Sequence, residues 1–480
     1  MTAIPQETIE PPTEMNVAMD NKVVFDKELI NRYDTFGPRY TSYPTAVQFN
    51  EEFDDKDYLA WVKASNEDPI PSPLSLYLHI PFCDTVCYYC GCSKVVTKDK
   101  SKARHYIDLL KQEIELQGSL FAKDREVTQI HWGGGTPTFL NDNEIYEIIE
   151  CIRENFSVPA ADQVEFGIEV DPRTVDKERL TNLSNLGFNR ISFGVQDFDS
   201  CVQKSVNREQ STEDIKHHIN DARALNFKSI NIDLMYGLPK QSIDTFSETL
   251  DTTIELGPDR IAIYNYAHLP EMFKPQRRIN EEDLPSAEEK LNILQLCIDK
   301  LQDAGYVYIG MDHFAKASDS LVKAQLEGTL HRNFQGYSTN ADCDIVAMGT
   351  TAISRIGDNY SQNVRTIEEY EQRLQEKRVP VFRGIELEAD DVLRREIINQ
   401  LMCNNNLDIQ KLEKKWGINF KKYFKSAMKN LQQMADDGLL NIGKTSMTIT
   451  GTGRLLARSV CMQFDRYLQK KTGNRFSKVI

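Results

Sequence analysis

From Leu74 the chain alternates between two hydrophobic rhythms. Short runs rich in β-branched and aromatic residues occur at Ser75–His79, Thr128–Trp132, Phe166–Val170, Arg190–Val195, Ser229–Met235 and Arg260–Tyr266, and each reads as a strand. Between them, apolar side chains recur every three to four positions, as on one face of a helix. In Asn141–Arg153, Asn141 is placed to cap, Glu144 stands three residues on, and Ile145, Ile148, Ile149 and Ile152 share a face. Lys102–Phe121, Lys177–Leu186, Thr212–Leu225 and Ile243–Leu256 follow the same rhythm. Repeated βα units predict a parallel sheet, and right-handed crossovers put every strand's C-terminal end on one side. Six strands fall short of the eight of a closed barrel, so the expected fold is α/β, an open partial (β/α)6 barrel.

The flanks follow other patterns. Residues 1–26 are polar, acidic and rich in Pro and Thr, and predict a disordered tail. An arm over 27–73 contains Gly37-Pro-Arg-Tyr-Thr-Ser-Tyr-Pro-Thr45, whose prolines exclude a regular helix. The barrel and its extension are expected over 74–364, with a long helix at Ala287–Ala304 that leads into Gly305-Tyr-Val-Tyr-Ile-Gly-Met-Asp-His-Phe-Ala315. Residues 365–480 read as a mostly helical C-terminal domain, a lid or packing unit, with a small hairpin at Gly438–Thr450 and a helix from Gly453.

Composition narrows the function classes. The chain is 40% hydrophobic and 27% charged, normal for a globular protein. A net charge of −15 argues against nucleic acid as a partner. No stretch approaches the roughly 18 apolar residues of a membrane span, and the N-terminus lacks the basic and apolar regions of a signal peptide. A cytoplasmic, reducing location is the expectation. The basic stretch Arg466, Lys470, Lys471, Arg475 and Lys478 reads as a solvated tail.

The strongest chemical signal is His79-Ile-Pro-Phe-Cys-Asp-Thr-Val-Cys-Tyr-Tyr-Cys-Gly-Cys92, in which Cys83, Cys87 and Cys90 are spaced C-x3-C-x2-C. Three thiolates in so short a loop can hold three irons of a four-iron cluster, leaving the fourth iron open; clusters that only carry electrons take four cysteines. Zinc is the rival, but zinc sites pair one C-x2-C with a second pair, and Cys151, the next cysteine after Cys92, has no such partner. Disulfides do not suit a chain without secretory signals. Cys151, Cys201, Cys297, Cys343, Cys403 and Cys461 are scattered singly, as buried free thiols are.

Other unusual residues follow the strands, at the face where such folds build their sites. Gly133-Gly-Gly-Thr-Pro137 brings backbone close to a ligand, or is simply a tight turn. Glu169 is suited to two ribose hydroxyls, or to a structural ion pair. Arg208 is suited to clamping a carboxylate, or is a surface arginine. Gln196, Asp233 and Asn265-Tyr-Ala-His-Leu-Pro270 close the later strands.

The cysteine loop followed by Gly-Gly-Gly-Thr-Pro resembles the radical S-adenosylmethionine (SAM) superfamily. Pro38-Arg-Tyr-Thr-Ser-Tyr-Pro-Thr45, His79-Ile-Pro-Phe-Cys83, Cys90-Gly-Cys92, Gly310-Met-Asp-His-Phe-Ala315 and His331-Arg-Asn-Phe-Gln-Gly-Tyr337 resemble the oxygen-independent coproporphyrinogen III oxidases within it. The resemblance implies that Cys83, Cys87 and Cys90 hold a [4Fe–4S] cluster. It implies that Tyr77, Gly134 and Glu169 contact the SAM on the open iron. Tyr89, Gly135, Thr136, Gln196, Arg208, Asp233, Ala267 and Ile353 would contact a second SAM. Tyr77 and Cys92 would be catalytic, Cys92 without being a ligand. The implied reaction converts coproporphyrinogen III to protoporphyrinogen IX in porphyrin biosynthesis through a 5′-deoxyadenosyl radical. It needs a low-potential electron donor and, by expectation, no more than a monomer. Arg39, Arg277, Arg278 and Arg332 are candidates for the substrate's propionates. The alternative is a heme-binding chaperone of the same superfamily, whose members generally lack the Arg-Tyr-Thr-Ser-Tyr-Pro arm and the Gly-Cys after the third ligand.

Overall fold

A computed structural model describes residues 22–468. Its main sheet has nine strands. The six expected ones are β1 (Leu74–Ile80), β2 (Val127–Gly134), β3 (Glu165–Val170), β4 (Arg190–Gln196), β5 (Ser229–Tyr236) and β6 (Arg260–Asn265). They are followed by β7 (Tyr306–Gly310), β8 (His313–Lys316) and β9 (Asp344–Met348). The order is β9-β1-β2-β3-β4-β5-β6-β8-β7. β1 to β6 pair in parallel in sequence order, β9 adds a parallel strand beside β1, and β8 and β7 add an antiparallel edge beside β6. The three added strands lie beyond the six that periodicity marked. β9 is only five residues long, too short for its period to show.

A helix follows each of the first six strands: α1 (Ser101–Leu120), α2 (Asp142–Asn155), α3 (Lys177–Leu186), α4 (Thr212–Ala224), α5 (Ile243–Leu256) and α6 (Ala287–Asp303). The capping box expected at α2 is formed: Asn141 accepts from the Glu144 amide, and Glu144 accepts from the Asn141 amide. Along β4, Ile191, Phe193 and Val195 are buried against the helices, while Arg190, Ser192, Gly194 and Gln196 are only half-buried and face the inside of the open barrel. β5 alternates in the same way, with Asn231, Asp233 and Met235 on the inner side. Its partial barrel therefore has an apolar outside and a polar lumen.

Order begins before the expected boundary at residue 26. Val23 is buried and its amide donates to Gln302 (2.6 Å), so it packs against α6 rather than belonging to a loose tail. Residues 1–21 lie outside the described residues, as do Lys470, Lys471, Arg475 and Lys478. Arg466 corrects the reading of a solvated tail: it bonds Glu388 (2.9 Å), Asp390 (3.2 Å) and Asp391 (3.0 Å). The arm is clamped from both sides. Arg458 donates to the carbonyls of Gly37 and Pro38, and Tyr40 donates to Asp465. Near the division expected at 364/365, strand Val381–Glu386 pairs with Asn359–Asn363. The helices beyond it are joined by a three-stranded sheet of Asn406–Asp408, Ser446–Ile449 and Leu440–Ile442.

The seam between β1 and β9 rests on one buried carboxylate. Glu113 of α1 accepts from the Gly349 amide (2.7 Å), from Asn363 (2.9 Å) and from the Tyr370 hydroxyl. Beside it, Tyr106 donates to the His79 carbonyl (2.8 Å) and accepts from the Thr350 amide (3.1 Å). Glu113→Ala leaves the Gly349 amide and the Tyr370 hydroxyl without this acceptor and Asn363 with only the Gly349 carbonyl (2.9 Å), and is expected to destabilise the protein by about 3 kcal/mol or more, read by denaturant unfolding. Burial raises the Glu113 pKa to about 7 against the hydrogen bonds that lower it. The folded state therefore holds this proton more tightly than the unfolded chain. The contribution to stability is full at low pH and is lost as pH climbs from the ordinary carboxylate range to about 7. Glu113→Gln should remove that downward slope; an unchanged slope would assign it to other groups.

Candidate functional site

Beyond β1 the cysteine loop is held on several sides. Phe82–Cys83 pairs with Val95–Val96, and the Thr97 amide donates to the Cys83 carbonyl (3.0 Å). Phe82 is fully buried, stacked on Phe139 and edge-on to Tyr106. Asn207 donates to the Val86 carbonyl (2.8 Å), the Tyr88 amide to Val206 (3.0 Å), and Lys94 to the Cys90 carbonyl (3.2 Å). None of the three cysteines is in a disulfide. All three line one cavity of about 270 Å³, together with Cys92, Tyr89, Gly134, Gly135, Thr136, Glu169, Gln196, Arg208 and Asp233. Most of the residues singled out in the sequence are thus brought to a single wall, although they are spread over 150 positions.

The glycine triplet has a specific structural reason. A Cβ on Gly133 would stand 2.8 Å from the Glu169 carboxylate, and one on Gly134 would stand 2.5 Å from the His79 ring. Gly134 also has φ +109°, a region that favours glycine. At Gly135 a Cβ would meet the Phe82 carbonyl at 2.7 Å. Such closeness lets the Gly135 amide donate to Ile80 (2.8 Å) and the Thr136 amide to Phe82 (2.8 Å). The Thr136 hydroxyl then reaches the Cys83 sulfur (3.4 Å). The loop after β2 is therefore a clasp on the cysteine loop as well as a wall of the cavity. Gly135→Ala should open that clasp: iron content after reconstitution is expected to fall well below the wild-type value, and full iron loading would show that the backbone yields at no loss.

Glu169 accepts from His131 (3.3 Å) and from the Gly134 amide (3.3 Å). Burial would raise its pKa, but these bonds outweigh burial and hold it below the ordinary carboxylate value. Tyr77 stacks on His131 at 6.1 Å and hydrogen-bonds His79 (3.3 Å). Asp233 behaves in the opposite way. Burial, with the nearby Glu169 charge, raises it to about 6 despite bonds from Ser192 (2.9 Å) and Asn231 (2.8 Å).

Arg208 is not a surface arginine. It is 7% exposed and donates to Cys87 Sγ (3.3 Å), to Asp171 (3.1 Å) and to the Gly194 carbonyl (3.2 Å). Arg173 bridges the same Asp171 (2.7 Å) and reaches Cys87 Sγ at 3.8 Å. Gln196 ends β4 with φ +73°, an uncommon conformation away from glycine.

Three residues implied by the resemblance are not on the cavity wall: Ile353, Ala267 and Tyr77, which lies behind it against His131 and His79. Ile353 packs beside Phe49, Tyr360 and Leu387, and Ala267 is exposed, its carbonyl accepting from Gln276 (3.3 Å). The same Gln276 donates to the Tyr89 carbonyl (3.0 Å), which ties the loop after β6 to the cysteine loop. Among the arginines, Arg39 pairs with Asp312, Arg332 donates to the Arg39 carbonyl (2.7 Å), and Arg278 lies over the Tyr88 ring. Ser192, Tyr264 and Lys94 line the cavity without having been singled out. For Ser192 the signal is period 2: it faces Glu169 across the β3–β4 pairing.

The residues fit an iron–sulfur cluster. Three uncrosslinked thiols share one wall, and hydrogen-bond donors already point at two of the sulfurs. Among the described residues, no three His, Cys, Asp or Glu side chains are grouped to hold a single ion. A cluster takes each thiolate on a different iron, so convergence on one point is not required.

Residues 77–253 match the Radical SAM superfamily, and residues 387–456 match the HemN C-terminal domain. Over 462 residues the chain is 49% identical to the oxygen-independent coproporphyrinogen III oxidase of Salmonella typhimurium, covering 96% of this chain and 100% of that one. The protein of the same name from Pseudomonas aeruginosa is 48% identical, with 96% and 100% covered. Among solved structures, coproporphyrinogen III oxidase (HemN) from Escherichia coli, a radical SAM enzyme, superposes with a TM-score of 0.88 at 47% identity, covering 93% of this chain and 100% of that one.

Proposed function

The chain belongs to the oxygen-independent coproporphyrinogen III oxidases of the radical SAM superfamily, and from that premise we propose that it decarboxylates coproporphyrinogen III to protoporphyrinogen IX without oxygen. The observation that carries the reading is the shared wall on which Cys83, Cys87 and Cys90 meet Glu169, Arg208 and Asp233. Cys83, Cys87 and Cys90 are the residues that hold the [4Fe–4S] cluster. When bound, the reduced cluster and SAM supply the radical that takes hydrogen from the β-carbon of a substrate propionate, after which loss of CO2 and one electron leaves a vinyl group.

The chain's own residues position and shield that chemistry. Tyr77, Gly134 and Glu169 bind the SAM nearest the cluster; the ionised Glu169 accepts hydroxyl hydrogens from it. Tyr89, Gly135, Thr136, Gln196, Arg208 and Asp233 would surround a second SAM; Ala267 and Ile353, which the resemblance adds, lie off the wall these residues form. Arg208 is already charge-balanced by Asp171, so binding a carboxylate there exchanges partners rather than adding a bare charge. Cys92 acts as a catalytic thiol without being a ligand. Arg39, Arg277, Arg278 and Arg332 are the groups we assign to the propionates. In this reading the arm (27–73) and the C-terminal domain (365–480) cover the barrel (74–364), and the enzyme works as a cytoplasmic monomer with a low-potential donor. Among the described residues no helix is long and apolar enough to cross a membrane.

The test is anaerobic. Reconstituted, reduced protein with SAM should release CO2 from coproporphyrinogen III and give a product of the mass of protoporphyrinogen IX. Tight heme binding with no vinyl product would instead favour a heme chaperone.

A further inference from the structure

Two guanidiniums meet at the Cys87 sulfur, Arg208 Nη1 at 3.3 Å and Arg173 Nη2 at 3.8 Å. Arg208 is assigned to the second SAM, whereas Arg173 is not part of that set. The chain leaves β3 through Asp171 into a short turn, Pro172–Thr174. Pro172 holds its own φ near the value such a turn uses, and the Asp171 carboxylate accepts from the Arg173 amide (3.1 Å). The Arg173 side chain then folds back on the same carboxylate as a fork, Nε to Oδ1 (3.0 Å) and Nη2 to Oδ2 (2.7 Å). Arg208 Nη1 takes that Oδ2 as well, at 3.1 Å. One carboxylate therefore orients two guanidiniums, and both face one sulfur.

An ion pair that only tied down the turn would need one arginine. Here two guanidiniums share Asp171, and the place is dry: Asp171 is 9% exposed, Arg208 7% and Cys87 7%. Two cations on one carboxylate leave a positive charge over, and an uncompensated charge is costly where water is excluded. A thiolate at Cys87 restores the balance. The loop presents that sulfur firmly, because the residues on either side of it are held to the turn before Arg208: Asn207 donates to the Val86 carbonyl (2.8 Å) and the Tyr88 amide to the Val206 carbonyl (3.0 Å).

We propose that Arg173 is a positioning residue for the cluster: held by Asp171, it donates to the Cys87 thiolate and makes the cluster easier to reduce; this rests on the three-cysteine cluster of the function proposed above. A donor and a positive charge beside a ligand sulfur draw electron density from it and stabilise the reduced cluster, which carries one more negative charge. The fork ties Arg173 to Asp171, so it stays on the sulfur when Arg208 turns to a bound carboxylate. The cluster thus remains reducible with both nucleotide sites filled.

The experiment is a redox titration of the reconstituted full chain without SAM. Dithionite and mediators set the potential, and the EPR signal of the one-electron-reduced cluster is followed against it. One electron passes from dithionite to the cluster, and no bond or proton need move. In Arg173→Gln, at wild-type iron content, the ratio of reduced to oxidised cluster at a given potential should fall about tenfold, a shift of about 59 mV to lower potential for one electron. Arg173→Lys, which keeps the charge but not the fork, should recover part of that loss. A wild-type potential in Arg173→Gln would overturn the proposal and leave Arg173 as an ion-pair partner of Asp171 alone. If Arg173→Gln fails to take up iron, Arg173→Lys decides: a potential below the wild-type value supports the assignment, and an unchanged one overturns it. The titration needs neither substrate nor turnover. A wild-type protein that gives no one-electron cluster signal would sink the proposed function itself, and the role of Arg173 with it.

Discussion

Cys92→Ser is expected to keep its full iron content and the cluster's visible absorbance and to lose turnover by about 10²- to 10⁴-fold, the range a positioned hydrogen-transferring side chain contributes. Cys92 lines the same cavity as the three ligands but is itself exposed there. It is two residues from Cys90, and its thiol is hydrogen-bonded to Cys90. If Cys92 were a fourth ligand, the open iron that the reaction requires would be closed. Cys87→Ser is the contrast. Cys87 is the most buried of the three and takes bonds from Arg208 and Arg173, so its loss should remove both iron and activity. Loss of iron in Cys92→Ser, measured on the reconstituted protein, would make it a ligand and refute the three-cysteine assignment.

The second large effect concerns Glu169. Glu169→Ala is expected to weaken SAM binding by about 1.5–3 kcal/mol, roughly 10- to 150-fold in Kd, as for hydrogen bonds to a charged group. The carboxylate is kept ionised although burial opposes it, because His131 and the Gly134 amide outweigh burial. Its folded pKa is depressed, so its charge is present throughout the neutral range and is lost only as pH falls through a value below that of an ordinary carboxylate. SAM affinity should accordingly show no Glu169-dependent change between about pH 6 and 8, and Glu169→Gln should lose most of what Glu169→Ala loses. Calorimetry that returns wild-type affinity for Glu169→Ala would leave Glu169 as a structural partner of His131 and Gly134 alone.

Both predictions start from features that were legible in the sequence. The spacing of Cys83, Cys87 and Cys90, the six strand runs and the cap at Asn141 are local, and local rhythm determines which face of an element is apolar. β3, β4 and β5 lie within a residue or so of the runs that marked them. The long motifs around His79, Gly310 and His331 then identified the family. None of that reveals which distant segments touch. β9 joins β1 across 270 positions, and its five residues carry no period long enough to announce a partner. Arg466 looked like part of a solvated tail because its acidic partners lie about 75 residues away.

The triplet Gly133–Gly135 marks the boundary between the two kinds of knowledge. Its composition predicted backbone close to a ligand or a tight turn, and the closeness the structure shows is to other parts of this chain. The sequence determined that no side chain stands there, that three thiols lie within eight positions, and that a carboxylate ends the third strand. The tertiary structure alone decided what the missing side chains make room for: Glu169, the His79 ring and the Phe82 carbonyl of this same chain. It likewise decided that Arg208 is buried against Cys87 and Asp171 instead of facing solvent. Periodicity and spacing are properties of neighbours along the chain. Burial, charge partners and clasps depend on contacts between strands far apart in sequence, and only the closed fold brings these together.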